Sequence, residues 1–485
     1  MCGEVPVVSS KGGGYVWGVE SLDDILGGVV SSGALVLVAG YPGSGKTLLA
    51  ATVCHANAVR GFPCLYVSFQ ETKEVFFRHM KDFNMDFSDL ESRDLFMYYR
   101  IPVIVDPSLV NTIVNELSKH SSKYRVIVID SFTPLERVIE KEAEARALLQ
   151  NFFYNLTKLE RSLILVIAEV PLGRKALNLG DSEFIADVIL LMRYKLDKGL
   201  MTRFMEVRKA REAPVSLGEI PFKIVDGVGI HAFLPPLLEE LPPALERTYE
   251  YPCRIMNEIL GPVKSGSSML VVTPADARST ETYIPGLVTL SIALKHRLRT
   301  LIVSYVRTPY SLLNSILNYA SKKSRETFEA VRELLDDLVR IEYVNPAAMS
   351  LEELYTYEID LVRRYNPQIL ILNRVDIPTR IHGTKNPEKY FMYMWNELLW
   401  FRGQGVTTLR NSVYMSKDFF RRSASVSDLV VRLTRGKEGE LKLYVWGEGK
   451  NPRVIELRLL SECFDEFLEG VSGGGANTSS NQTNI

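Results

Sequence analysis

Short runs of aliphatic and β-branched residues alternate with amphipathic stretches along most of the chain. LVLVAG at 35–40, CLYVSF at 64–69, RVIVID at 125–130, LILVIAE at 163–169 and DVILLMR at 187–193 are nearly continuous apolar runs. Such runs have both faces covered, so they predict parallel strands between layers of helix, an α/β fold. The second half repeats the pattern. SLDDILGGVVSSGALVLVAG (21–40) is echoed by IMNEILGPVKSGSSMLVVT (255–273), and CLYVSFQET (64–72) by TLIVSYVRT (300–308). RVIVIDS (125–131) is echoed by QILILNR (368–374), and ADVILLMR (186–193) by SDLVVRLT (427–434). Because the echoes keep their order, they predict two tandem copies of one domain.

Between the copies lies LPPLLEELPPALERTYEY, where Pro235-Pro236 and Pro242-Pro243 bracket an acidic stretch. Paired prolines lack amide donors and disfavour helix before them, so this segment reads as a stiff linker. From Val471 the sequence VSGGGANTSSNQTNI has almost nothing apolar to bury and reads as a disordered tail. The expected organisation is a flexible start (1–14), a first domain (15–233), a Pro-rich linker (234–250), a second domain (251–470) and the tail (471–485).

Composition narrows the function classes. Lys+Arg 57 against Asp+Glu 58 in 485 residues argues against a protein that coats nucleic acid through overall charge. The five cysteines, Cys2, Cys54, Cys64, Cys253 and Cys463, form no CxxC pair. Neither a disulfide framework nor a zinc ribbon is expected, and a reducing compartment is the natural reading. The start MCGEVPVVSSKGGG does not read as a signal peptide. No apolar run approaches the roughly 18 to 20 residues of a membrane span, so a cytoplasmic protein is expected.

The strongest motif is Gly40-Tyr41-Pro42-Gly43-Ser44-Gly45-Lys46-Thr47, which fits the phosphate-loop pattern GxxxxGK[ST], or Walker A, between a strand and a helical run. Its glycines let backbone N–H groups converge on phosphate oxygens. Lys46 sets a compact charge at the β and γ phosphates, Thr47 offers a hydroxyl to Mg²⁺, and the helix turns its positive end to the anion. The run RVIVID ends in Asp130, about 80 residues on, where such proteins hold a second magnesium partner (Walker B) at a strand end.

With these residues in place the chain resembles the KaiC-like branch of the RecA superfamily of ATPases over about residues 15 to 231. The resemblance runs through the leading segment GVESLDDILGG (18–28), GYPGSGKT, CLYVSFQET, VIVIDS, the AEVP turn at 168–171, EFIADVILLMR (183–193) and EVRKAREA (206–213). It implies two tandem RecA-like P-loop domains with mainly parallel central sheets covered by helices. ATP and Mg²⁺ are the implied cofactors, and a homo-oligomer such as a hexameric ring is the implied assembly. It further implies that Lys209 and Arg211 reach the γ-phosphate held by a neighbouring subunit. Where the family typically carries two glutamates after the second strand, this chain has Gln70-Glu71. Gln70 can hold a water but cannot accept its proton, and losing such general-base help lowers rates by about 10² to 10⁴. Unless Glu71 substitutes, slow hydrolysis is expected.

The second copy departs from the motif throughout. The loop matching 40–47 is Thr273-Pro274-Ala275-Asp276-Ala277-Arg278-Ser279-Thr280, without glycine or lysine, and Asp276 repels phosphate. Asn373 stands for Asp130, Val306-Arg307 for Gln70-Glu71, and VWGEG (445–449) offers neither cation. The second domain is read as a degenerate copy kept for assembly, regulation or an unidentified protein partner. Three functions stay open: an ATP-dependent regulatory or signalling assembly, a DNA-binding recombination or repair ATPase like RadA and RadB, and an ATP-loaded scaffold that does not hydrolyse. Basic clusters at Lys295 to Arg299, Lys322 to Arg325 and Arg421-Arg422 are what the DNA reading rests on.

Overall fold

The computed structural model describes residues 13–473 apart from 102–107, 134–142, 172–185, 198, 212, 214–217, 235–237, 239, 244–245, 276–289, 307–309, 437–439 and 448–449. The expected flexible start to residue 12, the tail from 474, Arg307 and most of the second-copy loop at 273–280 therefore lie outside the described residues. The chain divides into two units, Met1–Leu234 and Pro235–Ile485.

The first unit is built on β1 (Leu35–Gly40), β2 (Cys64–Ser68), β3 (Phe96–Arg100), β4 (Val126–Asp130), β5 (Leu163–Glu169), β6 (Val188–Asp197), β7 (Leu200–Ala210), β8 (Glu219–Val225) and β9 (Gly229–Ala232). Their order in the sheet is β3-β2-β4-β5-β1-β6-β7-β8-β9. Strands from β3 to β6 run parallel, and β7 to β9 extend the sheet in antiparallel fashion. All six residues of β1 are buried because helices cover both faces. Val36 and Val38 pack with Leu49 and Val53 of the helix Lys46–Val59. Leu35 and Leu37 pack with Ile113 and Leu117 of the helix Ser108–His120.

The second unit has a short antiparallel pair, β10 (Thr248–Tyr249) and β11 (Val263–Lys264), then β12 (Ser268–Thr273), β13 (Thr300–Ser304), β14 (Val339–Tyr343), β15 (Ile369–Asn373), β16 (Thr407–Val413), β17 (Leu429–Arg435), β18 (Leu441–Gly447) and β19 (Lys450–Glu456). The order of its main sheet is β14-β13-β15-β16-β12-β17-β18-β19. Strand for strand this repeats the first sheet, and among the described residues only β9 has no counterpart. A local device repeats with it. The Asp187 carboxylate accepts the Leu35 amide at the start of β1 at 3.0 Å, and Asp428 accepts the matching Ser268 amide at 2.7 Å. The fold is thus a tandem pair of mainly parallel α/β sheets.

The cysteine expectation is corrected. Cys54 on the helix Lys46–Val59 is joined to Cys64 at the start of β2, with Cα atoms 5.7 Å apart. Cys253 is joined to Cys463, with Cα atoms 5.0 Å apart across 210 residues of sequence. Spacing along the chain hid both pairs, because each partner arrives through the fold. A reducing compartment therefore no longer follows from cysteine usage. Among the described residues, no helix is long and apolar enough to cross a membrane.

Candidate functional site

The phosphate loop leaves β1 at Gly40 and enters the helix at Lys46. Gly40 is required by close approach: a Cβ there meets the Met192 carbonyl oxygen of β6 at 2.3 Å. Gly45 caps the helix at φ 100°, a left-handed conformation that disfavours side chains. Ser44 is fully buried and its Oγ has no partner within the protein. Lys46 is also buried, and its Nζ donates to the Tyr41 carbonyl at 2.8 Å. Burial pushes the Lys46 amine below the usual lysine range, while the Glu169 and Asp130 carboxylates oppose that shift.

Thr47 and Asp130 are brought together across 83 residues of sequence: Thr47 Oγ1 donates to Asp130 Oδ2 at 2.9 Å. Tyr66 on β2 donates its Oη to the same oxygen at 2.7 Å. Burial pushes the Asp130 carboxyl above the usual range, and the bonds from Tyr66 and Thr47 together with the Lys46 charge oppose this. Both bonds fall on the same carboxylate oxygen. The loop, the buried lysine and this Thr–Asp pair have the donor set that a magnesium–nucleotide needs.

Gln70 and Glu71 follow β2 at the same edge, since Ser68 pairs in register with Asp130. Their amides donate to Ser68 Oγ at 3.3 and 3.2 Å. The Gln70 side chain is exposed, while Glu71 is half-buried with its Oε1 3.8 Å from His79 Nδ1. The structure does not bring Lys209 and Arg211 to this loop. Lys209 pairs with Ile189 near the start of β6, whereas Gly40 pairs with Met192 further along the same strand. Arg211 lies beyond β7, with its amide on the Asp187 carbonyl at 2.9 Å and its Nη1 3.4 Å from Asp187 Oδ1. These two cations therefore sit toward the opposite end of the sheet from their own chain's phosphate loop.

At the corresponding corner of the second unit Asn373 stands for Asp130. The nearby buried carboxylate of Asp376 accepts the Val413 amide at 3.1 Å and is paired with Arg374 at 2.9 Å. Asn373 Nδ2 donates to Ser304 Oγ at 3.2 Å and its Oδ1 accepts from Asn411 at 3.3 Å, a neutral amide network. Thr273 replaces Gly40 and is buried. Reading the sequence missed Tyr66, whose signal was a hydroxyl-bearing ring inside an otherwise aliphatic strand. It also missed the structural role of Asp187.

The family model for the KaiC ATPase matches residues 16–235. The first unit is a KaiC-like ATPase domain of the RecA superfamily. Similar curated proteins include the circadian clock oscillator protein KaiC of Synechococcus elongatus, 25% identical over 225 residues, and that of Picosynechococcus, 27% identical over 227. The circadian clock protein KaiC3 of Synechocystis is 23% identical over 222 residues. The first two matches take in 44% of this chain and 43% of each relative, so less than half of either protein is aligned. The KaiC-like domain is a P-loop ATPase fold, for which nucleotide binding is the expected property. Its phosphate loop, Thr47 and Asp130 all lie within the matched span.

Proposed function

We propose that the KaiC-like domain binds Mg·ATP and hydrolyses it slowly, and that the chain works as an ATP-dependent regulatory assembly. The observation that carries this reading is the meeting of Thr47 and Asp130 at 2.9 Å beside a buried, unpartnered Ser44. In the proposed complex the amides of 40–47 and Lys46 hold the phosphates, while Thr47 and Asp130 hold the magnesium shell. A bound metal would supply positive charge against that of the phosphates. Gln70 orients the attacking water without taking its proton, and Glu71 is the alternative base. Lys209 and Arg211, remote from their own loop, complete the site of a neighbouring copy, so ATP favours assembly by mass action.

Calorimetric titration of the whole chain tests this. One nucleotide per chain, dependent on Mg²⁺ and lost in Lys46→Ala, is expected. Two nucleotides per chain, or one retained in Lys46→Ala, overturns the assignment. Gln70 also supports a second reading, an ATP-loaded scaffold without turnover, which a hydrolysis measurement separates from the first. The DNA reading loses ground at its basic clusters, where acidic neighbours stand close. Arg297 lies 3.3 Å from Asp337, Lys323 2.9 Å from Asp465 and Arg422 2.8 Å from Glu388.

A further inference from the structure

One face of the second sheet has exchanged a dry core for buried ionisable groups. In the first unit Leu37 of β1 pairs with Val166 of β5, and both belong to one apolar cluster with Ile129. In the second unit Leu270 of β12, the counterpart of Leu37, pairs with Arg410 of β16. Arg410 thus stands in register where the first copy has a valine, and it is only 2% exposed. A cavity of about 40 Å³ lies over this face, lined by Leu270, Val272 and Arg410 from the sheet and by Glu358 and Glu397 from the helices Leu351–Tyr365 and Pro387–Gly403.

Hydrogen bonds account for most of the polar atoms around it. Tyr305 Oη donates to Glu358 Oε1 at 2.6 Å, and the Glu358 and Glu397 carboxyl groups bond to each other. Arg410 Nη1 donates to Met394 Sδ at 3.1 Å, and its Nη2 donates to the Ser423 carbonyl at 3.0 Å and Ser427 Oγ at 2.6 Å. None of those three partners is a counter-ion. Two buried atoms stay unpartnered: Glu397 Oε1, an acceptor on a side chain 3% exposed, and Arg410 Nε, a donor. A buried guanidinium with a free donor and no bonded counter-charge is destabilising, so packing alone does not explain it.

We propose that this cavity is a binding site for a small zwitterion of the α-amino acid class, its ammonium facing the Glu358–Glu397 pair and its carboxylate facing the Arg410 guanidinium. Such a guest carries charges of both signs, as the lining does. It also brings opposite charges to opposite ends. A simple anion is repelled by the glutamate pair, and a simple cation by Arg410. At about 10–15 Å³ for each water-sized group, a cavity of about 40 Å³ takes roughly three or four such groups, which restricts the guest to the smallest zwitterions. The half-buried Tyr414, Met415 and Phe419 line the cavity as well and leave the ligand's side chain an apolar rim.

Burial of the empty pair favours its protonated form. Burial pushes both carboxyl groups above the usual range, Glu397 furthest, because the Glu358 charge adds to its desolvation and Arg410 opposes only in part. The facing phenols of Tyr305, Tyr355 and Tyr390 are pushed up by burial and stay neutral. An ammonium placed against the pair favours ionisation of both carboxylates, so binding releases a proton.

Calorimetry on the full chain tests the proposal with glycine, L-alanine, methylammonium, acetate and acetamide as probes. Glycine or L-alanine should bind, with a heat that changes with the buffer's ionisation enthalpy. Glu397→Gln should weaken that binding by about tenfold or more, equivalent to one charge-assisted hydrogen bond. If Glu397→Gln does not fold by circular dichroism, the milder Tyr305→Phe must still weaken it. Equal binding of methylammonium, acetate or acetamide overturns the zwitterion class. Binding by none of the probes overturns the site and leaves a cavity filled by water. Zwitterion binding that neither variant weakens places the ligand elsewhere and equally overturns the proposal.

Discussion

Tyr66→Phe isolates one hydrogen bond at the proposed magnesium site. The ring itself stays packed: its centroid lies 4.6 Å from that of Phe76 and 5.7 Å from that of Tyr98, and the residue is 1% exposed. No cavity large enough for a replacement water is created, because only the hydroxyl is removed. What is lost is the 2.7 Å donation to Asp130 Oδ2, which leaves Thr47 as that oxygen's remaining donor. A hydrogen bond to a charged group contributes about 1.5–3 kcal/mol, and tenfold in an equilibrium constant is about 1.4 kcal/mol. The Asp130 carboxyl, already pushed up by burial, moves further up and loses a bond that orients it, so presenting it ionised to the cation costs more. The expected outcome is a half-saturating Mg²⁺ concentration for ATP hydrolysis raised by about tenfold or more, with metal-free nucleotide affinity little changed. Hydrolysis followed across a Mg²⁺ titration measures the first quantity, and calorimetry in a chelator measures the second. An unchanged Mg²⁺ dependence in a folded variant refutes the reasoning and makes Tyr66 a packing residue.

Gln70→Glu should raise turnover by about tenfold or more while leaving ATP affinity unchanged, since the residue addresses the water rather than the phosphates; if turnover stays level and Glu71→Gln abolishes it, Glu71 is the base. Cys253→Ser should lower the stability of the second unit by about 2–5 kcal/mol in denaturant unfolding, the range for native disulfides closing long loops; an unchanged midpoint shows that the pair is not joined in solution. Glu358 and Glu397 have carboxyl groups raised in the folded state, so the protonation they favour stabilises the fold below the ordinary glutamate range and is lost as pH rises through the raised values. Thermal midpoints measured from pH 4 upward should therefore fall more steeply in the native chain than in Glu397→Gln, and parallel curves would remove the buried pair from the account. Mixing Lys46→Ala with Arg211→Ala should return part of the activity if Arg211 acts on a neighbouring copy; a dead mixture of co-assembled variants leaves Arg211 as a tether for Asp187.

What could be read in the sequence was what is contiguous. The loop from Gly40 to Thr47 carries its chemistry in eight adjacent positions, and Asp130 announces itself as an acid ending a run of apolar residues. The strands were legible for the same reason, since burial on both faces leaves an unbroken aliphatic signature. Tyr66 was not legible, because its place in a buried strand is equally that of a core ring. Neither were the disulfides, whose partners are neighbours only after the helix packs on the sheet or the last helix returns to the unit's first. Arg410 within TTLRNSV looks like an outward strand position, and only pairing with Leu270 shows that it faces inward.

The two copies share a strand order and an aspartate anchor, so the scaffold does not distinguish what each can do. Their difference lies in where unsatisfied buried polarity has been allowed. In the first copy the unpartnered Ser44 hydroxyl stands at the end of β1 beside the buried Lys46, where the proposed charged ligand supplies a partner. In the second copy that corner holds a neutral amide network at Asn373 beside the Arg374–Asp376 ion pair, and a further buried charge stands within the sheet at Arg410, on a cavity that Glu358 and Glu397 also line. Replacing a buried ionic group by a well-packed apolar one is often neutral or stabilising. A copy kept solely as a structural spacer has no reason to hold arginine where its sister packs valine. If the proposed site binds its ligand, the second unit is a scaffold whose binding chemistry has moved to another face rather than a first unit that has decayed.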